Sequence, residues 1–212
     1  MLKYLYADQL HHYPYLRDTM FQDRAFQFKT RLGWDVCVDQ HGHERDCYDD
    51  VNPLYVIWQD WEGRHGGSMR FLPTMGRCMV NEHFAPLIEG GRISAPTIWE
   101  CTRFCLSQAP RPSVAAALML GGAEVMEQCG LSQFVGVFDA RMQRIYARVG
   151  ARPKVLGSAG SGRSQINLGL WEFQPNVKAA IAIQAKLSAA QSKMWATRAF
   201  AQMSPSKHQM TG

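Results

Sequence analysis

The 212-residue sequence predicts an α/β fold in which helices pack around a mixed central sheet. Strand-like runs lie in the middle of the chain, helical stretches precede, separate and follow them, and no internal repeat is present. With 46% hydrophobic residues, a chain of this length can bury one substantial core but not two. We therefore expect one domain over residues 1–202 and a disordered tail over residues 203–212.

The first helix is predicted over residues 9–32, because Met20, Arg24 and Phe28 recur at four-residue spacing and Gly33 follows. Arg24 and Phe28 should therefore face the same way. Residues 39–53 contain Gly, Asn and Pro and are expected to form a long irregular loop, of the kind that often carries function. Residues 54–60 and 66–74 then read as two strands joined in a hairpin.

A short helix around residues 80–89 precedes a central strand over residues 96–107. Strict alternation divides the side chains of this strand between two faces, with Ile98, Glu100, Thr102 and Phe104 on one and Trp99, Cys101, Arg103 and Cys105 on the other. Glu100 and Arg103 therefore diverge unless the strand twists or bulges between them.

The second half of the chain continues the alternation of helices and strands. An Ala-rich helix is predicted to end at Gly130, and a strand over residues 131–138 follows it. A basic amphipathic helix follows, with Asp139 as its N-cap and Gly150 at its end. Residues 153–173 predict two more strands, and residues 175–200 predict one final helix.

The charge composition favours an acidic partner without identifying it, because 23 basic residues exceed 18 acidic ones. Nucleic acid is not expected as that partner, since the sequence has no helix-turn-helix pattern, no aromatic RNA-binding signature and no dense Lys/Arg run. The sequence also lacks a long apolar run and an apolar block near its beginning. We therefore expect a soluble, cytoplasmic protein without a membrane span.

Six cysteines are scattered along the chain and are interpreted as reduced thiols. Cys101 and Cys105 lie four residues apart, but no second pair at zinc-finger spacing accompanies them. His41, His43 and Cys47 lie in a polar loop and are interpreted as solvated side chains. No metal site is therefore expected.

Five blocks of charged and aromatic residues carry the evidence for function. In chain order they comprise Arg24, Phe28 and Trp34; Glu44, Asp46, Tyr48 and Asp49; Gly67, Arg70, Pro73 and Thr74; Phe84; and Trp99, Glu100 and Arg103. Their identity, order and spacing resemble the acyl-homoserine-lactone synthases, the LuxI-type autoinducer synthases.

The resemblance implies a GNAT-like fold, a three-layer α-β-α sandwich around a mixed central sheet. It also implies a reaction that joins S-adenosylmethionine to an acyl group carried as a thioester on acyl carrier protein. The products would be the acyl-homoserine lactone, which is a quorum-sensing signal, 5′-methylthioadenosine and the free carrier. S-adenosylmethionine is a substrate, so no cofactor is expected.

The resemblance and the required chemistry suggest roles for eight of the block residues. Glu100 and Asp46 are the candidate general bases for the substrate amine, and Glu100 is preferred because a central strand can desolvate its carboxyl. Arginines suit a substrate carboxylate and a developing oxyanion. The expected catalytic residues are Glu100, Asp46, Arg70 and Arg103, and the expected contacts to S-adenosylmethionine are Arg24, Phe28, Trp34 and Asp49.

The acyl chain requires an apolar pocket, and acyl carrier protein requires a basic surface. The expected pocket residues are Phe104, Met119, Met126, Val137, Phe138, Met142 and Tyr146. The expected docking residues are Arg141, Arg144, Arg148, Arg152 and Lys154. Residues 99–105 resemble the corresponding segment of family members that use long chains, and this resemblance implies a long acyl group. Either Phe138 or Asp139 stands where many 3-oxo-selective members have Thr, which argues against a 3-oxo preference.

Three alternatives remain open at this point. A GNAT-like N-acyltransferase that uses acyl-coenzyme A is disfavoured, because residues 107–116 lack the glycines that hold a pyrophosphate in that superfamily. An inactive binding protein on the same fold is the second alternative. The third is a covalent mechanism through Cys101 or Cys105, which lack a nearby His in sequence to activate them.

Overall fold

The computed structural model describes residues 1–203, apart from the side chain of Arg163. Its strands are β1 (Leu2–Tyr6), β2 (Leu54–Gln59), β3 (His65–Pro73), β4 (Ile98–Leu106), β5 (Gln133–Asp139), β6 (Lys154–Ala159) and β7 (Ile166–Trp171). They form one seven-stranded sheet in the order β1-β2-β3-β4-β5-β7-β6. All neighbours are antiparallel except β4 and β5, which are parallel, so the sheet is mixed as predicted.

The α-helices are α1 (Pro14–Ala25), α2 (Met79–His83), α3 (Val114–Cys129), α4 (Met142–Val149), α5 (Pro175–Ala185) and α6 (Ala189–Met203). The last four share the larger core on one face of the sheet. On the opposite face α1 packs on β3 and β4, and α2 lies near β5. The expected α-β-α layering is confirmed.

Strand β2 shows why the middle of the sheet reads as a continuous apolar run. Leu54 and Val56 belong to the core beneath α3, whereas Tyr55 and Ile57 pack on the α1 side. Because helices cover both faces here, the four residues from Leu54 to Ile57 are all buried, and this part of the strand does not alternate between apolar and polar residues.

Strand β4 contains a β-bulge at Arg103 and Phe104. Ser68 pairs with Cys105 and Arg70 pairs with Thr102, so two residues of β4 stand opposite Met69 alone. Arg103 adopts a left-handed conformation with φ of 52°. An inserted residue reverses the facing of every later side chain. The strict alternation predicted for this strand is therefore wrong beyond Thr102, and the conditional expectation of a bulge is confirmed.

Three other elements differ from the prediction. The first strand, β1, was not predicted at all. The single helix expected over residues 175–200 is wrong, since α5 ends at Ala185 and is capped by Lys186, whose φ of 56° is left-handed, and α6 begins at Ala189. Asp139 ends β5 rather than forming the N-cap of α4, although its carboxylate accepts hydrogen bonds from the backbone N–H groups of Arg141 and Met142 at 2.9 and 3.2 Å.

Most of the predicted tail, residues 204–212, lies outside the described residues, and Met203 is the last residue of α6. Within residues 1–203, no helix has the length and apolar character needed to cross a membrane.

Candidate active site

Three arginines from different elements converge on three carboxylates of the loop over residues 39–53. Arg24 comes from α1, Arg70 from β3 and Arg103 from the bulge of β4. The carboxylates belong to Glu44, Asp46 and Asp49. The long loop therefore folds back over the sheet because its acidic side chains are held there by ion pairs.

Arg24 holds the two innermost carboxylates and is itself almost fully buried. Its Nε donates to Glu44 Oε2 at 2.6 Å, and its two Nη atoms donate to the two oxygens of Asp49, each at 3.0 Å. Such two-point pairing fixes the orientation of both groups. The hydroxyl of Tyr55 also donates to Asp49.

Arg70 links the remaining aspartate to the sheet. Its Nη1 and Nη2 donate to Asp46 at 2.5 and 2.9 Å, and Nη1 also donates to Asp49 at 2.7 Å. Its Nε donates to the Thr102 hydroxyl at 3.0 Å. The guanidinium of Arg70 is therefore fully engaged and serves as the bridge between the loop and strand β4.

Arg103 completes the cluster from the side of the bulge. Its Nη2 lies 3.0 Å from Glu44 Oε1 and 2.7 Å from Asp46 Oδ2. Its guanidinium also lies over the Phe28 ring, 5.3 Å from the centroid, where a cation–π contact is favourable. Without the bulge, Arg103 would point to the opposite face of the sheet and make none of these contacts.

The carboxylates of Asp46 and Asp49 remain ionised at neutral pH. Burial opposes the charge of Asp46, but the hydrogen bond and charge of Arg70, together with Arg103, lower its pKa. Burial also opposes the charge of Asp49, and the charges of Arg24 and Arg70 outweigh it and lower the pKa of Asp49 well below its usual range. A carboxylate with a lowered pKa is a weak proton acceptor.

Glu100 is a carboxyl of a different kind, although it lies on the same face of the sheet as Arg70. Its oxygens accept hydrogen bonds from the backbone N–H groups of Met79 and Val80, at 2.9 and 2.6 Å, where α2 begins. Burial raises the pKa of Glu100 to about 7, against the opposing effect of these hydrogen bonds. Glu100 is thus poised to exchange a proton near neutrality.

Met79 connects Glu100 to the arginine cluster. Its backbone N–H is bonded to Glu100, and its Sδ lies 3.8 Å from an Nη of Arg70 and 3.7 Å from an Nη of Arg103. The start of α2 therefore joins the proton-exchanging carboxyl to both guanidinium groups.

An aromatic pair stands beside the cluster. A π-helical turn over Phe26–Arg31 continues α1, and Gly33 ends it as predicted. Phe28 is buried, whereas Trp34 is 40% exposed and stacks on it with centroids 5.1 Å apart and an interplanar angle of 13°. The outer face of Trp34 is therefore available to a flat ligand, while Phe28 supports it from behind.

A small apolar cavity opens where β4 and β5 separate. These two strands pair only from Ile98 to Glu100 with Gln133 to Val135, so the sheet splits beyond them. The cavity, of about 50 Å³, is lined by Met69, Phe71, Cys101, Thr102, Arg103, Phe104, Met119, Gly122, Phe134, Gly136, Val137, Tyr146, Trp171 and Phe173. Arg103 and Thr102 therefore border both the charged cluster and the apolar space.

The model of the autoinducer synthase family matches residues 8–171. The chain belongs to the autoinducer synthase family. An acyl-homoserine-lactone synthase of Rhizobium etli is 36% identical over 179 residues, which cover 81% of this chain and 84% of that protein. The resemblance drawn from the five blocks is thereby confirmed.

Solved structures share the fold of this synthase. The CoA-dependent acyl-homoserine lactone synthase MesI matches with a TM-score of 0.78 at 21% identity, covering 90% of this chain and 98% of its own. BjaI, a CoA-dependent synthase solved with SAM and isopentyl-CoA, matches with a TM-score of 0.77 at 20% identity, covering 93% and 99%. The GNAT-like fold and the expected enzyme class, an acyltransferase, are confirmed.

The structure divides the predicted acyl-pocket residues of the synthase into two groups. Phe104, Met119, Val137 and Tyr146 line the cavity between β4 and β5. Met126, Phe138 and Met142 do not line it. Phe138 packs behind the lining, with its ring centroid 5.3 Å from that of Tyr146 and 5.6 Å from that of Trp171.

The five predicted docking residues of the synthase are all exposed, on α4, on the turn after it and at the start of β6. Arg141 pairs with Asp139 at 3.2 Å. Within the described part of the chain, the other four form no ion pair with an acidic side chain, so their charges remain available to an acidic surface. These four are Arg144, Arg148, Arg152 and Lys154.

The cysteines do not favour covalent catalysis. Cys101 lines the cavity but Cys105 does not, and burial raises the pKa of both thiols above the usual range. The reactive thiolate is therefore disfavoured at both positions. Among residues 1–203, no group of three or more His, Cys, Asp or Glu side chains is arranged to hold a metal ion.

A second buried polar group resembles a hydrolase triad without serving as one. His65 Nδ1 lies 2.8 Å from Asp23 Oδ2, and His65 Nε2 lies 3.0 Å from Ser68 Oγ. All three side chains are buried, and Ser68 does not line the cavity between β4 and β5. The group therefore ties α1 to β3, directly behind the arginine cluster.

Sequence reasoning missed several residues of the site. Glu44 was recognised as part of a block but was not assigned a role, and Tyr55, Met79 and Thr102 were not predicted as site residues. The alternation of charge at Glu44 and Asp46 was the available signal for Glu44. Tyr55, Met79 and Thr102 contribute through contacts with segments that are distant in sequence, and no local sequence pattern predicts such contacts.

Proposed function

We propose that this synthase transfers a long acyl group from acyl carrier protein to the amine of S-adenosylmethionine and then closes the homoserine lactone ring. The observation that carries the proposal is the position of Glu100, a buried carboxyl with a pKa of about 7, beside an arginine cluster that borders an apolar cavity. We propose that it does so in the cytoplasm and without a cofactor.

The first chemical step forms an amide. The amine of S-adenosylmethionine loses a proton to Glu100, directly or through one water, and attacks the thioester carbonyl. The new C–N bond replaces the C–S bond, and the carrier thiolate leaves and takes up a proton. Glu100 is preferred over Asp46 as the base, since the arginines lower the pKa of Asp46.

The second step forms the lactone. The carboxylate of the acylated substrate attacks its own Cγ, the C–O bond forms, and the C–S bond to the sulfonium breaks. The sulfonium becomes neutral 5′-methylthioadenosine and leaves. No external oxidant or reductant is required, because the leaving group accepts the electron pair of the broken bond.

The charged cluster divides into an inner and an outer part. Arg24 and Asp49 are buried and bonded to each other at two points, which suits a scaffold that holds the loop. The side chains of Asp46 and Arg103 retain 19% and 8% of their exposure. We assign contact with the methionine part of the substrate to this outer pair, and contact with its adenosine part to Trp34, supported by Phe28.

Arg103 also borders the cavity, where the thioester carbonyl must lie if the acyl chain enters between β4 and β5. A guanidinium there stabilises the oxyanion that develops on the carbonyl. Arg70 holds Arg103 indirectly, since both donate to Asp46. We therefore regard Arg103 as a catalytic residue and Arg70 as a positioning residue.

The unpaired basic residues of α4 and its neighbours support acyl carrier protein as the donor. Carrier proteins present an acidic surface, and four exposed cations on one side of the fold complement it. The relatives MesI and BjaI are described as CoA-dependent. The donor of this chain is therefore tested by comparing its activity with acyl carrier protein thioesters and with coenzyme A thioesters.

Mass spectrometry of extracts from a non-producing bacterium that expresses this chain tests the activity. An acyl-homoserine lactone that is present with the wild type and absent with Glu100→Gln supports the proposal. The purified protein is then supplied with S-adenosylmethionine and matched acyl groups on either carrier protein or coenzyme A. A higher kcat/KM with coenzyme A would overturn the donor assignment, and no lactone with either thioester would overturn the function.

A further inference from the structure

A second cavity, partly open to solvent, shares part of its lining with the first one. It has a volume of about 310 Å³ and lies between α4, the end of β7 and α5. Its apolar lining comes mainly from Ala147, Ala151 and Val177. Two aromatic side chains, Trp171 and Phe173, line both cavities and therefore form the partition between them.

The two partition residues are held very differently. Trp171 ends β7, its indole N–H donates to the carbonyl of Ala151 at 2.9 Å, and its ring is packed edge-on against Phe138 and Tyr146. Phe173 lies two residues beyond the strand, in the connection to α5, and is only partly buried. Its ring packs edge-on against Phe134 with centroids 6.5 Å apart. Trp171 is therefore anchored by a hydrogen bond and two ring contacts, whereas Phe173 is the more weakly held of the two partition residues.

The first cavity cannot hold a long acyl chain by itself. Its volume of about 50 Å³ has room for only a few water-sized groups. The lining of the second cavity also includes the charged residues Arg152 and Glu172, so only part of that space is apolar. The apolar volume available to an acyl chain therefore depends on whether that chain can pass between the two cavities, beyond Trp171 and Phe173.

We propose that Phe173 is the chain-length gate of this synthase, and that the distal part of a long acyl chain passes it into the second cavity. This inference rests on the proposed function. Its ligand is an unsubstituted hydrocarbon tail, since each buried methylene favours binding about fourfold and the lining offers a tail apolar contacts.

The test is a competition assay with the purified full chain, S-adenosylmethionine and an equimolar mixture of acyl carrier protein thioesters of roughly six to sixteen carbons, read by mass spectrometry of the lactones. Phe173→Ala enlarges the passage and is expected to shift the products toward longer chains, by about fourfold for each added methylene. Val177→Trp fills the second cavity without altering the first and is expected to shift them toward shorter chains.

The double variant Phe173→Ala/Val177→Trp separates the gate from a general loosening of the core. A return of its product distribution to shorter chains supports passage into the second cavity. Thermal unfolding shows that each variant is folded before its products are compared. An unchanged distribution from folded, active Phe173→Ala and Val177→Trp would overturn the gate alone, whereas no lactone from the wild type with any thioester would overturn the proposed function and the gate together.

Discussion

Glu44 joins two arginines that the sequence keeps far apart. Its Oε2 accepts a hydrogen bond from Arg24 Nε at 2.6 Å, and its Oε1 lies 3.0 Å from Nη2 of Arg103, which is 59 residues away. Glu44 itself is buried. The geometry of the whole cluster therefore depends on one carboxylate from an otherwise irregular loop.

Glu44→Ala is expected to lower the free energy of unfolding by about 3–5 kcal/mol, because it leaves two buried guanidinium groups short of a partner. Glu44→Gln should cost less, since its amide oxygen can still accept one hydrogen bond. Urea denaturation measures both. Asp50→Ala is the matched control, because Asp50 pairs with Arg45 at the surface, and the prediction is wrong if Glu44→Ala is no more destabilising than this control.

The rate of lactone formation should depend on the ionisation of Glu100. A base must be deprotonated to accept a proton, so kcat/KM is expected to rise with pH through an apparent pKa of about 7. Glu100→Gln should reduce the rate at least about 100-fold and remove this limb of the profile. A wild-type profile that stays flat across neutral pH would contradict the assignment of Glu100 as the base.

Because Arg103 has a left-handed backbone conformation, its substitution should affect activity and stability differently. Arg103→Gly and Arg103→Ala both remove the guanidinium, and both should lose most activity. Glycine accepts a φ of 52° without strain, however, so Arg103→Gly is expected to be more stable than Arg103→Ala by about 1 kcal/mol. Chemical denaturation of the two variants side by side tests this, and equal stability would argue against the bulge.

The basic surface on α4 should act on the donor and not on S-adenosylmethionine. Arg148→Glu is expected to raise KM for the acyl carrier protein thioester about tenfold, while leaving KM for S-adenosylmethionine unchanged. Added salt should also raise the KM of the wild type for the acyl carrier protein thioester, because it screens the attraction between the two surfaces. Arg198→Glu, at an exposed position of α6, makes the same charge change elsewhere. An equal effect of the two variants would contradict docking at α4.

Much of the layered fold follows from local patterns, and the exceptions have identifiable physical causes. The order of strands and helices from residue 54 to residue 171 agrees with the prediction, because periodicity and glycine ends are local properties. Strand β1 was not predicted because it is short and is stabilised by its pairing with β2, which a local pattern does not show. The break at Lys186 escaped because a left-handed residue other than glycine leaves no compositional signal.

The candidate site was predictable in its residue types but not in its pairings. The structure brings Arg24, Arg70, Arg103, Asp46, Asp49 and Glu100 to one face of the sheet, although strict alternation had placed Glu100 and Arg103 on opposite faces. Phe134, Trp171 and Phe173 were not anticipated beside the cavity, because they become neighbours only where β5 and β7 pair in register. Apolar side chains of this kind are indistinguishable from ordinary core in a sequence.

The sequence by itself determined the family, the layered α/β class and the set of charged and aromatic residues, since these depend on identity and spacing along the chain. Tertiary structure alone decided which carboxylate meets which guanidinium, and which carboxyl is left to exchange a proton. The reason is that a single bulge turns Arg103 toward Glu44 and Asp46, while burial and two backbone N–H groups set Glu100 apart from the ion-paired acids.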